Sequence, residues 1–405
     1  MPRYNGGFIG TDGLDAPDAP TIDSVTAGDT QVSVAFTDAG GGTSATTSFV
    51  VQVSTDGTDY SAGSNTGTSS PIVVTSLTND TAATAKVWAI NVYGTSAPSD
   101  ASSSFTPVAP NYGNRGIIAG GVFPPSYNRS NVMDYATITT TGNFTDFGNL
   151  ATGNDNAAGL SSGSRGVFGG GEESSRTNRI QYITFASTGN TEDFGDLTLA
   201  RERLAGVSSV TRGVFCGGTT GDNTNVMDYI TIASTGNATD FGDTNVTQNG
   251  QAGASSFTRG LIIGGTSGNR DSIEYITIAS TGNGTDFGDL TGEHEQCAAY
   301  SNGTTAMIGN DNDGASTKGR IESVTIATLG NATAFGSLTT SEKMNSGNIV
   351  ANATRALASV GFSDTTSASS NTVEYFTIAS AGNGTDFGDL TQARHSARDA
   401  SASGN

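Results

Sequence analysis

From residue 16 to about residue 107, apolar residues fall on alternate positions. Val32, Val34 and Phe36 make one such run and Phe49, Val51 and Val53 the next; Ile72-Val73-Val74 and the stretch from Trp88 to Tyr93 follow. Period-two alternation interrupted by turn residues predicts half-buried strands, and at this spacing an antiparallel sandwich of roughly 90–100 residues. Prolines stand on both flanks, Pro17 and Pro20 before and Pro107 and Pro110 after, which is the chemistry of a domain boundary. Phe36 and Trp88 are expected in the sandwich core.

After residue 114 the pattern becomes a repeat. A phrase close to Asp-Phe-Gly-Asp-Leu returns with its aromatic at Phe147, Phe194, Phe241, Phe287, Phe335 and Phe387, spaced 47, 47, 46, 48 and 52 residues apart. Twelve residues upstream stand Tyr135, Tyr182, Tyr229, Tyr275 and Tyr375, with Ser323 in that place in the fifth unit. Arg-Gly pairs begin at Arg115, Arg165, Arg212 and Arg259, and Gly-Gly soon follows, as at Gly217-Gly218. Each unit divides into four short apolar runs stopped by Gly, Asn and Ser. Four strands in about 47 residues predict the blade of a β-propeller, and the lack of any 3.6-residue period excludes a helical solenoid. Six units starting near 115, 165, 212, 259, 305 and 355 predict six blades over 115–405. Residues 391–405 then supply the strand that the first unit lacks, which would leave no open edge.

Composition changes this picture little but excludes much. The 405 residues include 56 Gly and 9 Pro, about 16 % together, below the roughly 25–30 % of low-complexity chains. With 18 basic against 38 acidic residues the net charge is −20, so no nucleic-acid partner is expected. No apolar run approaches the roughly 20 residues of a spanning helix, so no membrane insertion is expected. The first residues carry neither an apolar run nor a cleavage site, so no signal peptide is expected. Two cysteines, Cys216 and Cys297, make neither a disulfide framework nor a thiolate zinc site.

The first segment resembles a fibronectin type III module. The resemblance rests on the Pro17 to Pro20 approach, Gly28-Asp29, Ser54-Thr55-Asp56-Gly57 ahead of Tyr60, Leu77 before Trp88, and Asn91-Val92-Tyr93-Gly94. It departs at Trp88, since that family carries its core Trp nearer the second strand, where Phe36 stands. The repeats resemble divergent kelch units: a strand, Gly-Gly, an aromatic, then a second aromatic after a hairpin, here Phe rather than Trp. These resemblances imply an all-β chain with an N-terminal arm (1–15), a fibronectin type III-like sandwich (16–107), a linker (108–114) and a six-bladed kelch-like propeller (115–405) closed by the C-terminal strand. The arm Tyr4-Asn5-Gly6-Gly7-Phe8-Ile9-Gly10 resembles attachment sequences of bacteriophage tail and appendage proteins, especially those of marine cyanobacteria. The phrase Tyr-Ile-Thr-Ile-Ala-Ser-Thr-Gly-Asn, as at 229–237, resembles repeats of phage structural proteins. What these imply is a protein of the virion, tail- or fibre-associated and present in many copies. Arm and sandwich would hold it to other virion proteins, and the propeller would contact host-surface glycan or protein. A capsid-decorating protein is the alternative, and a sialidase-like, glycan-acting enzyme the third reading.

Residues that carry chemistry are few. The two histidines, His294 and His395, fall two units apart, no nucleophile-elbow motif is present, and no catalytic set is expected. For the sialidase-like reading, Arg201, Arg203, Arg394 and Arg398 are candidate grips for a sugar carboxylate, although the repeat turn has Gly where that family has Asp. Seven residues after each phrase Phe stand Asn154, Arg201, Gln248, His294, Glu342 and Arg394. In a kelch-like register these lie on the strand nearest the axis, so they are expected to form a polar ring that meets a small ligand or glycan at the channel mouth. In the fifth unit Asn310-Asp311-Asn312-Asp313-Gly314 alternates like the start of an EF-hand loop, making Asp311 and Asp313 candidate Ca²⁺ ligands. No bidentate Glu follows at the twelfth position, so a plain turn is the simpler reading, and no other cofactor is expected. The loops Phe123–Asn131, Glu172–Arg179 and Ser363–Asn371 differ entirely from one another, which favours binding over coating.

Overall fold

The computed structural model describes residues 15–28, 30–78, 81–107, 113–123, 128–266, 271–293, 297–309, 319–339, 348–363, 368–395 and 401–404. Their regular structure is antiparallel β, without a helix, and the chain divides into two compact units, Met1–Ala109 and Pro110–Asn405.

The first unit has seven strands: β1 (Thr21–Gly28), β2 (Gln31–Thr37), β3 (Ser48–Ser54), β4 (Gly63–Gly67), β5 (Ile72–Val74), β6 (Thr84–Asn91) and β7 (Gly94–Thr95). They form two sheets, ordered β1-β2-β5 and β4-β3-β6-β7. Alternation decides the core: Val32, Val34, Phe36, Phe49, Val51 and Val53 are buried, and the Phe36 and Phe49 rings lie 4.7 Å apart. Trp88 corrects the expectation. On β6 the inward positions belong to Ala85, Val87 and Ala89, so period two turns Trp88 to the opposite face. There it is half-buried and meets Tyr60 edge-on at 6.4 Å. Ser54-Thr55-Asp56-Gly57 is a turn: Asp56 accepts the amides of Asp59 and Thr58, which holds its carboxyl well below the usual carboxylate range.

The second unit contains six four-stranded sheets. In sheet 2 the strands, from first to fourth, are Ala158–Ser161, Arg165–Gly169, Arg179–Thr184 and Glu192–Asp196. Sheets 3 to 6 repeat this order from first strands Ala205–Ser208, Ala252–Ser255, Ala298–Ser301 and Ile349–Ala351. Sheet 1 borrows its first strand from the far end of the sequence: Ser401–Gly404 pairs with Arg115–Ala119, followed by Val132–Thr137 and Thr145–Asn149. The six first strands touch in cyclic order, and Ser401–Gly404 contacts both Ile349–Ala351 and Ala158–Ser161.

Three sets of contacts, repeated from sheet to sheet, explain the recurring residues. The phrase Phe is buried in every unit, and in sheets 1 to 4 and 6 the upstream Tyr meets it edge-on at 5.7–6.4 Å. Arg115, Arg165, Arg212, Arg259 and Arg355 lie 4.4–4.8 Å over those Tyr rings. Each also donates to a carbonyl of the next sheet, respectively Phe185, Ile232, Ile278, Ile326 and Thr139. Sheet 5 has Thr305 and Ser323 instead, so both members of the pair are replaced together.

The second set explains the phrase itself. The turn glycines Gly142, Gly189, Gly236, Gly282, Gly330 and Gly382 donate their amides to the phrase Phe carbonyl of the preceding sheet at 2.7–3.0 Å. The asparagine after each turn glycine accepts an amide two residues past that Phe, at 3.0–3.2 Å. The approach is close enough to require glycine. Gly288 has φ +149°, and a Cβ there would stand 2.5 Å from the Gly330 carbonyl oxygen.

The third set was not expected from the sequence. Asp134, Gln181, Asp228, Glu274, Glu322 and Glu374, all buried on third strands, accept amides from Thr391, Ala151, Thr198, Asn245, Thr291 and Thr339 of the preceding sheet at 2.8–3.3 Å. Five of the six acceptors are carboxyl groups, and hydrogen bonds to a charged acceptor contribute about 1.5–3 kcal/mol each, against about 1 kcal/mol for a neutral one such as Gln181. All three sets join sheet 6 to sheet 1, through Phe387 with Gly142, Thr391 with Asp134, and Arg355 with Thr139.

Candidate functional site

The connection between consecutive sheets crosses the end of the sheet it enters, and carbonyls at those strand ends need donors. Three of the six residues expected in a polar ring meet that need. Asn154 donates to the Gly170 carbonyl at 2.9 Å. Arg201 donates to the Phe215 carbonyl at 3.1 Å and pairs with Asp228 at 3.0 Å. Arg394 donates to Val132 and Ile118 carbonyls and pairs with Asp134 at 2.9 Å. Gln248 is buried at the end of a fourth strand, opposite Thr224. All four are at most 2 % exposed and precede the first strands or lie outside them, and Asn154, Arg201 and Arg394 spend donors on these backbone and carboxylate partners. Burial pulls both Arg201 and Arg394 down from the ordinary arginine value, against the attraction of Asp228 and Asp134. His294, Glu342, Asp311, Asp313 and Arg398 lie outside the described residues. Among the described residues no group of three or more His, Cys, Asp or Glu side chains is placed to hold a metal ion. Cys216 and Cys297 are buried and unbridged, and burial raises the Cys216 thiol far above its usual value.

The two ends of the first strands differ chemically. Between the first strands, toward their C-terminal ends, a cavity of about 50 Å³ is lined by residues that include Ser161, Ser208, Ser255, Ser301 and Tyr300. The Tyr300 hydroxyl crosses from sheet 5 to Ser161 of sheet 2 at 3.1 Å and to Ser403 of sheet 1 at 2.9 Å. That volume holds a few waters and falls well below the roughly 300–1,000 Å³ of ligand pockets.

Before the N-terminal ends lies a charged rim. Three connections there pair with the residue following the double glycine: Asp155 with Glu172, Glu202 with Thr219, and His395 with Val122. Gly170 and Gly171 make the turn possible with φ of +68° and +94°, and a Cβ on Gly170 would stand 2.6 Å from the Arg201 carbonyl oxygen. Successive connections then bond to each other, Arg203 N–H to the Asn156 carbonyl and Gly250 N–H to the Arg203 carbonyl, both 2.8 Å.

Side chains from sheets 1 to 3 converge on this rim. Arg129 pairs with Asp155, and with Glu172 at 3.0 Å. Arg176 pairs with Glu202 at 3.1 Å, and Arg203 stands 3.8 Å from the other Glu202 oxygen. Asn156 bridges the two groups, its Nδ2 donating to Asp155 Oδ2 at 2.9 Å and Glu202 Oε2 at 3.1 Å. Its Oδ1 is buried without a hydrogen-bond partner, which costs about 1–3 kcal/mol when nothing supplies a donor. Burial pushes Glu202 above the usual carboxylate range; Arg203 and Arg176 oppose this, and the neighbouring Glu172 carboxyl adds to it. Elsewhere on the rim the described contacts are neutral: Asn249 bonds to Asn223 and Thr266, and His395 Nδ1 lies 2.6 Å from Ser369 Oγ.

The sequence pointed to the variable loops Phe123–Asn131 and Glu172–Arg179, which supply Arg129, Glu172 and Arg176, and to Arg203, but not to Asp155, Asn156 or Glu202. No protein-family model matches the chain, and no curated protein matches it in sequence.

Proposed function

We propose that the chain is a virion structural protein, a tail- or fibre-associated appendage in which a fibronectin type III-like sandwich carries a six-bladed kelch-like propeller closed by the C-terminal strand. The arm and sandwich join it to other virion proteins, and the propeller meets host-surface glycan. Cyclic contact among six first strands and inter-sheet bonds repeated around to sheet 1 support the propeller reading. The observation that carries the functional reading is the division of labour among residues. The recurring Phe, Tyr, Arg, Gly and third-strand polar residues serve inter-sheet contacts, while the connections and post-glycine loops differ and, among the described residues, set ion pairs where sheets 1 to 3 meet. A rigid ring presenting a non-repeated rim suits display, and many copies raise avidity even where one site binds weakly.

Two observations favour this over the other readings. Asp146, Asp193, Asp240, Asp286 and Asp386 recur exposed on the fourth strands, so copies packed closely as a shell coat would repel one another. Two arginines that a sialidase-like site would use are buried and committed, Arg201 to Asp228 and Arg394 to Asp134.

The test is gold labelling of intact particles with antibody against the repeat unit, viewed by electron microscopy. Label on the tail or its fibres is expected. Label spread over the head would make decoration the better account, and no label would overturn both.

A further inference from the structure

Among the described residues asparagine precedes glycine at Asn249, Asn283, Asn302 and Asn383. That pair is open to a reaction of the chain with itself, because glycine has no Cβ to keep its amide nitrogen away from the asparagine Cγ. Asn249 and Asn302 hold both ends of their side-chain amides. Asn249 donates to Asn223 and accepts from Thr266, and Asn302 donates to the Ala353 carbonyl and accepts from the Thr305 amide. Asn283 and Asn383 instead stand exposed in the turns between the third and fourth strands of sheets 4 and 6. They share the sequence Gly-Asn-Gly-Thr-Asp-Phe-Gly-Asp-Leu, at 282–290 and 382–390, so any difference between them comes from the fold.

Each is held by the preceding sheet. Asn283 Oδ1 accepts the Asp243 amide at 3.1 Å, and Gly284 N–H donates to the Asp243 carbonyl at 2.8 Å. Asn383 and Gly384 do the same with Ser337, at 3.2 and 2.9 Å. Both groups that would react are therefore spent across an inter-sheet interface, and they are released together when it opens. The glycines are set by packing: Glu274 and Glu374, held by amides of the preceding sheet, occupy the space a Cβ would take at Gly284 and Gly384. The two interfaces are not alike. Between sheets 3 and 4, Arg212 stacks on Tyr229 and donates to the Ile278 and Ala279 carbonyls. Between sheets 5 and 6, Thr305 and Ser323 stand in those places, so that stacked bridge is missing.

We propose that Asn383 is a self-modification site, released by opening of the interface between sheets 5 and 6. The Gly384 nitrogen attacks Asn383 Cγ; the new N–Cγ bond closes a cyclic imide as the Cγ–Nδ2 bond breaks, and Nδ2 leaves as ammonia with the Gly384 proton. Water then opens the imide at either carbonyl, its hydroxyl going to that carbon and its proton to the nitrogen, which gives aspartate or isoaspartate. Isoaspartate lengthens the main chain by one carbon, moves Gly384 out of register with Ser337, and leaves that interface weaker after each event.

The experiment incubates the full chain in mildly alkaline buffer, native and in urea, and follows each asparagine by peptide mass spectrometry with isoaspartate-specific methylation. In the native chain Asn383 should convert about threefold faster than Asn283, the contribution of one exposed Arg–Tyr stack expressed as a rate. Both should convert about tenfold faster or more in urea, and at equal rates there. Thr305→Arg with Ser323→Tyr should bring Asn383 down to the rate of Asn283, and Arg212→Ala should raise Asn283 alone. Equal native rates at Asn283 and Asn383, native rates as fast as those in urea, or a repair that leaves Asn383 unchanged would overturn the assignment.

Discussion

The circumference of the repeat unit and its N-terminal rim are built from the same six units and use them in opposite ways. At the circumference, the turn glycine, its asparagine and the phrase Phe make the same bonds across all six interfaces, from sheet 1 to sheet 2 and on to sheet 6 with sheet 1. On the rim, equivalent positions hold Asp155-Asn156, Glu202-Arg203 and Asn249-Gly250, and among the described residues the ion pairs of Arg129 and Arg176 gather where sheets 1 to 3 meet. Repetition marks what the ring needs to exist, and departure from repetition marks what is free to serve a partner. In such an array the most conspicuous motif is the poorest guide to a site.

The sharpest break in this comparison is a buried ion pair against an exposed one. Asp228→Ala strands Arg201 where neither side chain sees solvent, and should cost about 3–5 kcal/mol in denaturant unfolding. Arg176→Ala, on a side chain 38 % exposed, should cost about 1 kcal/mol or less. Equal losses would erase the distinction between frame and rim. Within one sheet, Gly288→Ala should destabilise by more than about 1 kcal/mol, because its φ is +149° and the Gly330 carbonyl blocks the new methyl. Gly282→Ala, where a Cβ meets nothing within 4 Å, should stay within about 0.5 kcal/mol of wild type.

Sheet 5 allows a test by repair. Thr305→Arg with Ser323→Tyr restores the stacked pair found in the other five sheets, and should add about 0.5–1 kcal/mol. The gain should exceed the sum of the single changes, and strict additivity would count against pairing of Arg with Tyr as the reason both are absent. The smallest effect is on pH dependence. Glu202 titrates above its ordinary value of 4.5, so the stability it contributes is complete below that value and is lost as pH rises through the raised one. Wild type should therefore lose stability relative to Glu202→Gln between mildly acidic and neutral pH. A difference that stays flat with pH would mean the rim does not hold this carboxyl as described.

Much of the frame was legible because period and spacing survive substitution. Alternation marks the strands of the first unit, and the 46–52-residue return of Phe marks six units. Trp88 was misplaced because its size outweighed its parity: the same alternation that buries Val87 turns the next residue outward. The third-strand acceptors were hidden by their chemistry changing from Asp to Gln to Glu, though each stands one residue before the Tyr or Ser323. Of the expected polar ring, Asn154, Arg201, Gln248 and Arg394 are buried. Arg201 and Arg394 are buried because connecting backbone crosses strand ends whose carbonyls need donors, a demand that sequence spacing does not reveal. The charged rim draws Arg129 from the first unit and Glu172 and Glu202 from the second, where the residue types do not recur from unit to unit, so no periodic reading finds it.

The account stands or falls on the sixth interface being equivalent to the other five. Native-state hydrogen exchange can ask this of six amides at once: Gly142, Gly189, Gly236, Gly282, Gly330 and Gly382, each bonded to a phrase Phe carbonyl of the preceding sheet. For Gly142 that carbonyl belongs to Phe387, near the other end of the sequence. The account predicts that Gly142 is protected to the same degree as the rest. Exchange at Gly142 much faster than at the other five would mean that the ring stands open between sheets 6 and 1.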